Sequence, residues 1–189
     1  STTCILKDVD SRALIDFAAV HNSNNDFALN GPQDIKGNLR NYWCNGTPLP
    51  PLKSSSTEAE VNENFGEFTS TVTKLLVLQE SKGYGELIRN IKEGNIEEIS
   101  PTDEITKALF NIDMDAEGSN SVRSRQKAEA EDKEASNIYK AGSVVVFKNL
   151  KKNKFGIMII RSVNVDFDAV KATNDANATI TFDLYYQRY

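Results

Sequence analysis

Gly142-Ser143-Val144-Val145-Val146-Phe147-Lys148, Phe155-Gly156-Ile157-Met158-Ile159-Ile160-Arg161-Ser162-Val163 and Ala178-Thr179-Ile180-Thr181-Phe182-Asp183-Leu184-Tyr185-Tyr186 are three runs rich in β-branched and aromatic residues. Each is flanked by polar, turn-forming sequence, the mark of a strand. Asn149-Leu150-Lys151-Lys152-Asn153-Lys154 is short enough to join the first two as a hairpin loop. Residues 166–177 form a longer polar connection to the third. In that third run Ile180, Phe182, Leu184 and Tyr186 fall on one face, and Thr179, Thr181, Asp183 and Tyr185 on the other. This is the alternation of a strand buried on one side. The three runs predict a C-terminal antiparallel meander.

Upstream, Ala13-Leu14-Ile15-Asp16-Phe17-Ala18-Ala19-Val20 alternates around Ile15, Phe17 and Ala19 and reads as a further strand. A polar turn from His21 to Asp26 and a short returning segment, Phe27-Ala28-Leu29, follow. Residues 30–60 are loop-rich. Pro48, Pro50, Pro51 and the Ser54-Ser55-Ser56-Thr57 run leave no regular element over 45–57. Val61, Phe65, Phe68, Val72, Leu75 and Leu76 have helical spacing, but the β-branched stretch at 69–73 favours a strand, so a helical or irregular start gives way to a strand near 71–78.

Two short helices are expected between the halves. Ser81 can cap a helix over 81–93 with Tyr84, Leu87, Ile88 and Ile91 on its inner face and Gly94 as a left-handed cap. Ser100-Pro101-Thr102-Asp103 opens a second helix over 101–113, with Ile105, Ala108, Leu109 and Ile112 on its buried stripe. Residues 115–137 are polar. Over 124–135, Arg125–Glu129, Lys127–Glu131 and Glu129–Lys133 lie four apart without an apolar stripe, as in a solvated helix or a docking arm.

Composition sets the class. The chain has 189 residues, 39% hydrophobic and 26% charged, enough for one core without metals or dense disulfides. Its apolar runs fall far short of the ~20 residues that span a bilayer, so no transmembrane segment is expected. A formal net charge of −5 argues against a nucleic-acid partner. Lys148, Lys151, Lys152 and Lys154 read as a solvated hairpin tip. Ser1 opens the chain with no basic or apolar leader, which is expected of a processed or trimmed start.

Few residues carry recognisable chemistry. His21 is the sole histidine and sits in a polar turn; no Gly-x-Ser-x-Gly elbow or phosphate loop is present. Cys4 and Cys44 have no Cys-x-x-Cys neighbour; if paired they would close a loop of about 40 residues, stabilising by about 4 kcal/mol. Glu97-Glu98 and Asp103-Glu104 could be imagined as acid–base pairs but also suit helix ends. Tyr42-Trp43 is the aromatic pair best suited to stacking on a ligand, with a core anchor beside Cys44 as the alternative. Asn45-Gly46-Thr47 and Asn177-Ala178-Thr179 match the glycosylation sequon.

Residues 139–188, with the strand-like Leu14-Ile15-Asp16-Phe17 and the segment Phe27-Ala28-Leu29-Asn30-Gly31-Pro32-Gln33-Asp34, resemble exported Bacteroidetes surface lipoproteins of the haemophore-like group. The resemblance implies an exported protein at the outer-membrane surface or in the periplasm, tethered by lipid at an N-terminal cysteine. Members that bind haem use paired axial ligands. Here only His21, Met114 and Met158 could serve, with Tyr185 or Tyr186 offering at most one phenolate, and no spacing brings two together, so no cofactor is expected. The expected whole is a single α+β domain over 1–189. It pairs the 13–20 strand with the meander and packs the two helices on one side. It acts as a non-enzymatic module for a glycan, peptide or small cofactor through Tyr42 and Trp43. The alternatives are a carboxylate-dependent glycan hydrolase and a structural subunit of a surface assembly.

Overall fold

A computed structural model of the chain describes residues 14–21, 27–36, 39, 43–44, 47–48, 52–53, 55–94, 104–124, 138–165 and 178–187. The fold is α+β, with a C-terminal strand meander as the sequence predicts. Strands β1 (Ala18–His21), β2 (Phe27–Asn30), β3 (Trp43–Cys44) and β4 (Thr47–Pro48) precede helix α1 (Glu58–Thr69). Then come β5 (Thr73–Val77), α2 (Gly85–Glu93), α3 (Glu104–Phe110), α4 (Met114–Glu117) and β6 (Ser121–Ser124). The meander is β7 (Val144–Asn149), β8 (Lys154–Val165) and β9 (Ala178–Tyr186). No described helix is long and apolar enough to cross a membrane.

The meander is antiparallel, as expected, with Val146 opposite Ile157 and Met158 opposite Leu184. It gains a fourth strand, β5, which lies antiparallel to β7 and gives the order β5-β7-β8-β9. Residues 144–147 and 155–160 are all buried, so β7 and β8 are covered on both faces, which is why they read as continuous apolar runs. On one face Leu76, Val144, Val146, Ile157 and Ile159 meet Ile88 and Ile91 of α2, Leu109 of α3 and Met114 of α4. On the other, Val145, Phe147, Met158 and Ile160 meet Leu29 of β2 and Val122 of β6.

The N-terminal strand departs from expectation. Residues 14–17 are not strand; β1 begins at Ala18 and pairs with β2, which pairs with β6 in a separate three-stranded sheet. The alternation also breaks. Ile15 packs with Ala18 against Val61, Phe65 and Phe68 of α1, whereas Phe17 and Ala19 join the core between the sheets. The N-terminal segment therefore meets the meander through side chains and not through a ladder. The sheets are stitched where Leu75 and Ser119 exchange backbone hydrogen bonds of 2.8 Å each way. The Gln33 side-chain amide imitates a strand partner, donating to the Thr73 carbonyl at 3.1 Å and accepting from its N–H at 3.2 Å. Gly31 makes room for this clamp, because a Cβ there would lie 2.6 Å from the Thr73 carbonyl oxygen.

Local sequence signals coincide with some elements and not with others. The ambiguous 61–78 region resolves as expected into helix and then strand. α1 opens on a reciprocal capping box: Glu60 N–H donates to the Thr57 hydroxyl, and Thr57 N–H donates to the Glu60 carboxylate at 2.7 Å. These bonds hold the Glu60 carboxyl below its ordinary range. Ser81 lies in a 3-10 turn, Glu80–Lys82, and Tyr84 stands at the N-cap of α2. Gly94 is extended at φ −76, and the left-handed cap is instead Gly83, at φ 85, which closes the 3-10 turn before α2. The Ser100–Pro101 start lies outside the described residues, as do 125–137, and α3 ends at Phe110. The stretch read as a polar loop at 115–121 ends α4 and begins β6, where Val122 is the inward residue. Thr47–Pro48, expected to be loop, pairs with Trp43–Cys44.

The hairpin tip is also more than a solvated turn. The Lys152 ammonium lies 3.0 Å from Asp16, whose carboxylate accepts from the buried Asn149 amide at 2.7 Å. Asn149 in turn accepts from the Lys152 N–H at 3.0 Å. Lys148 sits over the Phe155 ring at 5.0 Å.

Two expectations follow. Gly156 faces Phe147 in the ladder, and any Cβ there would overlap the Phe147 ring, whereas a Cβ at Gly66 in α1 meets nothing within 4 Å. Gly156→Ala should destabilise by about 1–3 kcal/mol or more, and Gly66→Ala should stabilise by about 0.4–1 kcal/mol, in denaturant unfolding. Tyr84 donates its hydroxyl to Glu117, and burial followed by that bond pushes its pKa up to about 12. A raised pKa means a contribution fully present below the ordinary tyrosine value and lost as pH climbs towards about 12. Ultraviolet titration should show a late phenolate transition that disappears in Tyr84→Phe.

Candidate functional site

The distinctive surface of this protein is β9 and the face it shares with the core between the sheets. Phe147 lies across Gly156, within reach of Phe17 (ring centroids 5.1 Å apart, 65° between planes) and of Tyr186 (6.0 Å, 16°). Phe17 also approaches Phe182 at 6.3 Å. Along β9, Ile180, Phe182 and Tyr186 are half-buried against this cluster. Leu184 alternates onto the same face and remains 51% exposed. The apolar stripe expected from the sequence exists, but it is not closed over.

The strand's outer edge is open among the described residues, since β9 ends the sheet order. Gln187 N–H donates to the Phe155 carbonyl at 3.1 Å. The odd-numbered residues of β9 therefore turn their backbone groups towards β8, and Ile180, Phe182 and Leu184 turn theirs outward. Exposed edges are usually blunted by lysine, proline, a bulge or brevity. β9 is nine residues long and contains neither lysine nor proline. The irregularity between Ile160 and Ser162, where Arg161 is the extra residue, lies on β8. The one charge on β9, Asp183, accepts from Arg161 Nε at 2.9 Å on the opposite face, and this bond holds the guanidinium still more firmly protonated. A strand with these properties can accept another strand.

Tyr42 and Cys4 lie outside the described residues. Trp43 and Cys44 are placed by backbone only, opposite Pro48 and Thr47, and their side chains lie outside the description. The pairs Glu97-Glu98 and Asp103-Glu104 also lie outside it, apart from the backbone of Glu104 in α3. His21 ends β1, opposite Phe27, and is not in a turn. Met158 is fully buried between the two sheets, and Met114 is buried on the helix-covered face of the same sheet. Lying on opposite faces of the four-stranded sheet, these two sulfurs do not face a common planar ligand. Tyr185 and Tyr186 likewise divide between the two faces, as expected. Among the described residues no group of three or more His, Cys, Asp or Glu side chains is placed to hold a metal ion. The open edge was missed because sequence alternation reports which face is buried and says nothing of which strand lies outermost.

Comparison with protein-family models, curated proteins and solved structures yields no significant match.

The burial pattern along β9 predicts unequal effects of truncation. In dilute solution Phe182→Ala should destabilise by about 2 kcal/mol, less than the roughly 3–5 of a fully buried ring. Leu184→Ala should change stability by no more than about 0.5 kcal/mol in the same denaturant experiment.

Proposed function

We propose that this protein is a non-enzymatic binding module that takes up an extended polypeptide segment as an added strand along β9. The observation that carries the reading is the long edge of Ala178–Tyr186, open among the described residues, beside which Leu184 is exposed. In strand addition the backbone groups supply affinity, and alternate side chains supply specificity. Here the outward backbone groups of Ile180, Phe182 and Leu184 would bond the incoming segment. Their side chains would give it an apolar track continuous with Phe17 and Tyr186. Among a glycan, a peptide and a small cofactor, only a peptide carries a backbone ladder that repeats with the spacing of an edge open among the described residues. Placement on the exported side of a cell, with a lipid tether, rests on the resemblance of residues 13–35 and 139–188.

A panel of displayed extended peptides, run beside a glycan array and glycosidase substrates, tests this. Saturable binding of peptides with alternating apolar residues is expected, lost in Leu184→Lys and in Leu184→Pro, which removes an outward N–H. Glycan binding indifferent to both substitutions, or hydrolysis abolished by a single Asp or Glu substitution, would overturn the reading.

A further inference from the structure

We infer that the strand added to β9 is β9 of a second copy of this chain, related by a two-fold axis through Phe182. The inference rests on the strand-addition reading above and names its occupant. Three observations on β9 carry it. First, Phe182 is the midpoint of Ala178–Tyr186, so an antiparallel pairing of the strand with itself about Phe182 uses its whole length. Phe182 is also an outward-pointing residue, since Gln187 N–H turns inward to Phe155. Phe182 would therefore meet its symmetry mate as a hydrogen-bonded pair, with Ile180 opposite Leu184 as the next such pair on either side.

Second, a two-fold axis perpendicular to the sheet keeps like faces together. Ile180 then covers Leu184 of the other copy, so the apolar side chain left 51% exposed on one chain is buried by the next. The polar face matches in the same way, Thr179 meeting Tyr185 and Thr181 meeting Asp183.

Third, the charges permit this register. Full overlap sets Asp183 against Thr181 and not against its own copy, whereas an axis through Asp183 would oppose two carboxylates directly. No lysine or proline on the strand prevents close approach. The product is an isologous dimer in which the sheets of both copies run on as one, and each copy hides the other's edge.

Sedimentation equilibrium on the whole chain across a concentration series tests this, with circular dichroism to show that each variant is folded. The expected species has twice the 21.0 kDa of one chain. Leu184→Lys should leave single chains. Thr181 is exposed, so its substitutions act on the pairing and not on the fold. Thr181→Asp should weaken the dimer about tenfold by facing Asp183 twice, and Thr181→Lys should tighten it by a similar factor. A chain that is monomeric at every concentration, or a dimer indifferent to these three substitutions, overturns the inference. If the chain is monomeric but peptides still bind in a Leu184-dependent way, strand addition stands and the second copy is not its occupant. If peptide binding fails as well, the reading of the β9 edge falls with it.

Discussion

The Phe147 ring, which fills the space where a Cβ of Gly156 would stand, is the constraint on which the rest of this architecture depends. The two residues face each other in the β7–β8 ladder. Because position 156 has no side chain, the ring can cross β8 and stack on Tyr186 of β9, while it also meets Phe17, from the segment before β1, in a T-shaped contact. One side chain therefore joins three strands of the meander and the N-terminal segment in a single apolar contact. Aromatic coverage of a glycine on the neighbouring strand is a recognised means of pinning register. The register matters here because a slip by one residue would exchange the faces of β7 and β8. Both faces are buried, so a slip would present the helix-facing side chains to the N-terminal sheet.

The arrangement around that contact is a layered one. Helices α2, α3 and α4 close one face of the meander, and the sheet formed by β1, β2 and β6 closes the other, with α1 packed outside it. Two polar devices hold the layers together at their margins. The reciprocal Leu75–Ser119 bonds and the Gln33 amide clamp occupy the free edge of β5, while the Asp16–Asn149–Lys152 network ties the hairpin tip to the segment before β1. The β5 edge of the four-stranded sheet is thus covered by the chain itself. The β9 edge has no comparable cover among the described residues.

How much of this was legible from the sequence differs by element. β7, β8 and β9 were read almost to the residue, since a buried strand needs only a local run of β-branched and aromatic side chains between turn formers. α1 and β5 were read in the right order from the conflict between helical spacing and the Thr69–Thr73 cluster. Ser121–Ser124 does not stand out in the sequence, because a strand of four residues whose one buried apolar side chain is Val122 carries almost no pattern. The stretch 13–20 misled in the other direction. Its alternation is genuine in the sequence, yet Ile15 and Phe17 end in different cores, because the chain turns at Asp16. For the site, the apolar face of β9 was legible. The pair Tyr42 and Trp43 stands out in the sequence by side-chain chemistry, which carries no information on backbone edges.

By itself, then, the sequence determined the α+β class, the hairpin β7–β8, the identity of the inward residues on β9 and the separation of Tyr185 from Tyr186. Each of these follows from periodicity over fewer than about ten neighbouring residues, where backbone geometry alone dictates which way a side chain points. Only the tertiary structure decided that β1 joins β2 and not the meander, that β5 lies beside β7, that Met114 and Met158 are on opposite faces, and that β9 is outermost. Those are pairings between residues far apart in the chain. Many partners could bury similar apolar area, and the choice among them is made by close fits such as Phe147 on Gly156 and Gln33 on Thr73, which no local pattern records.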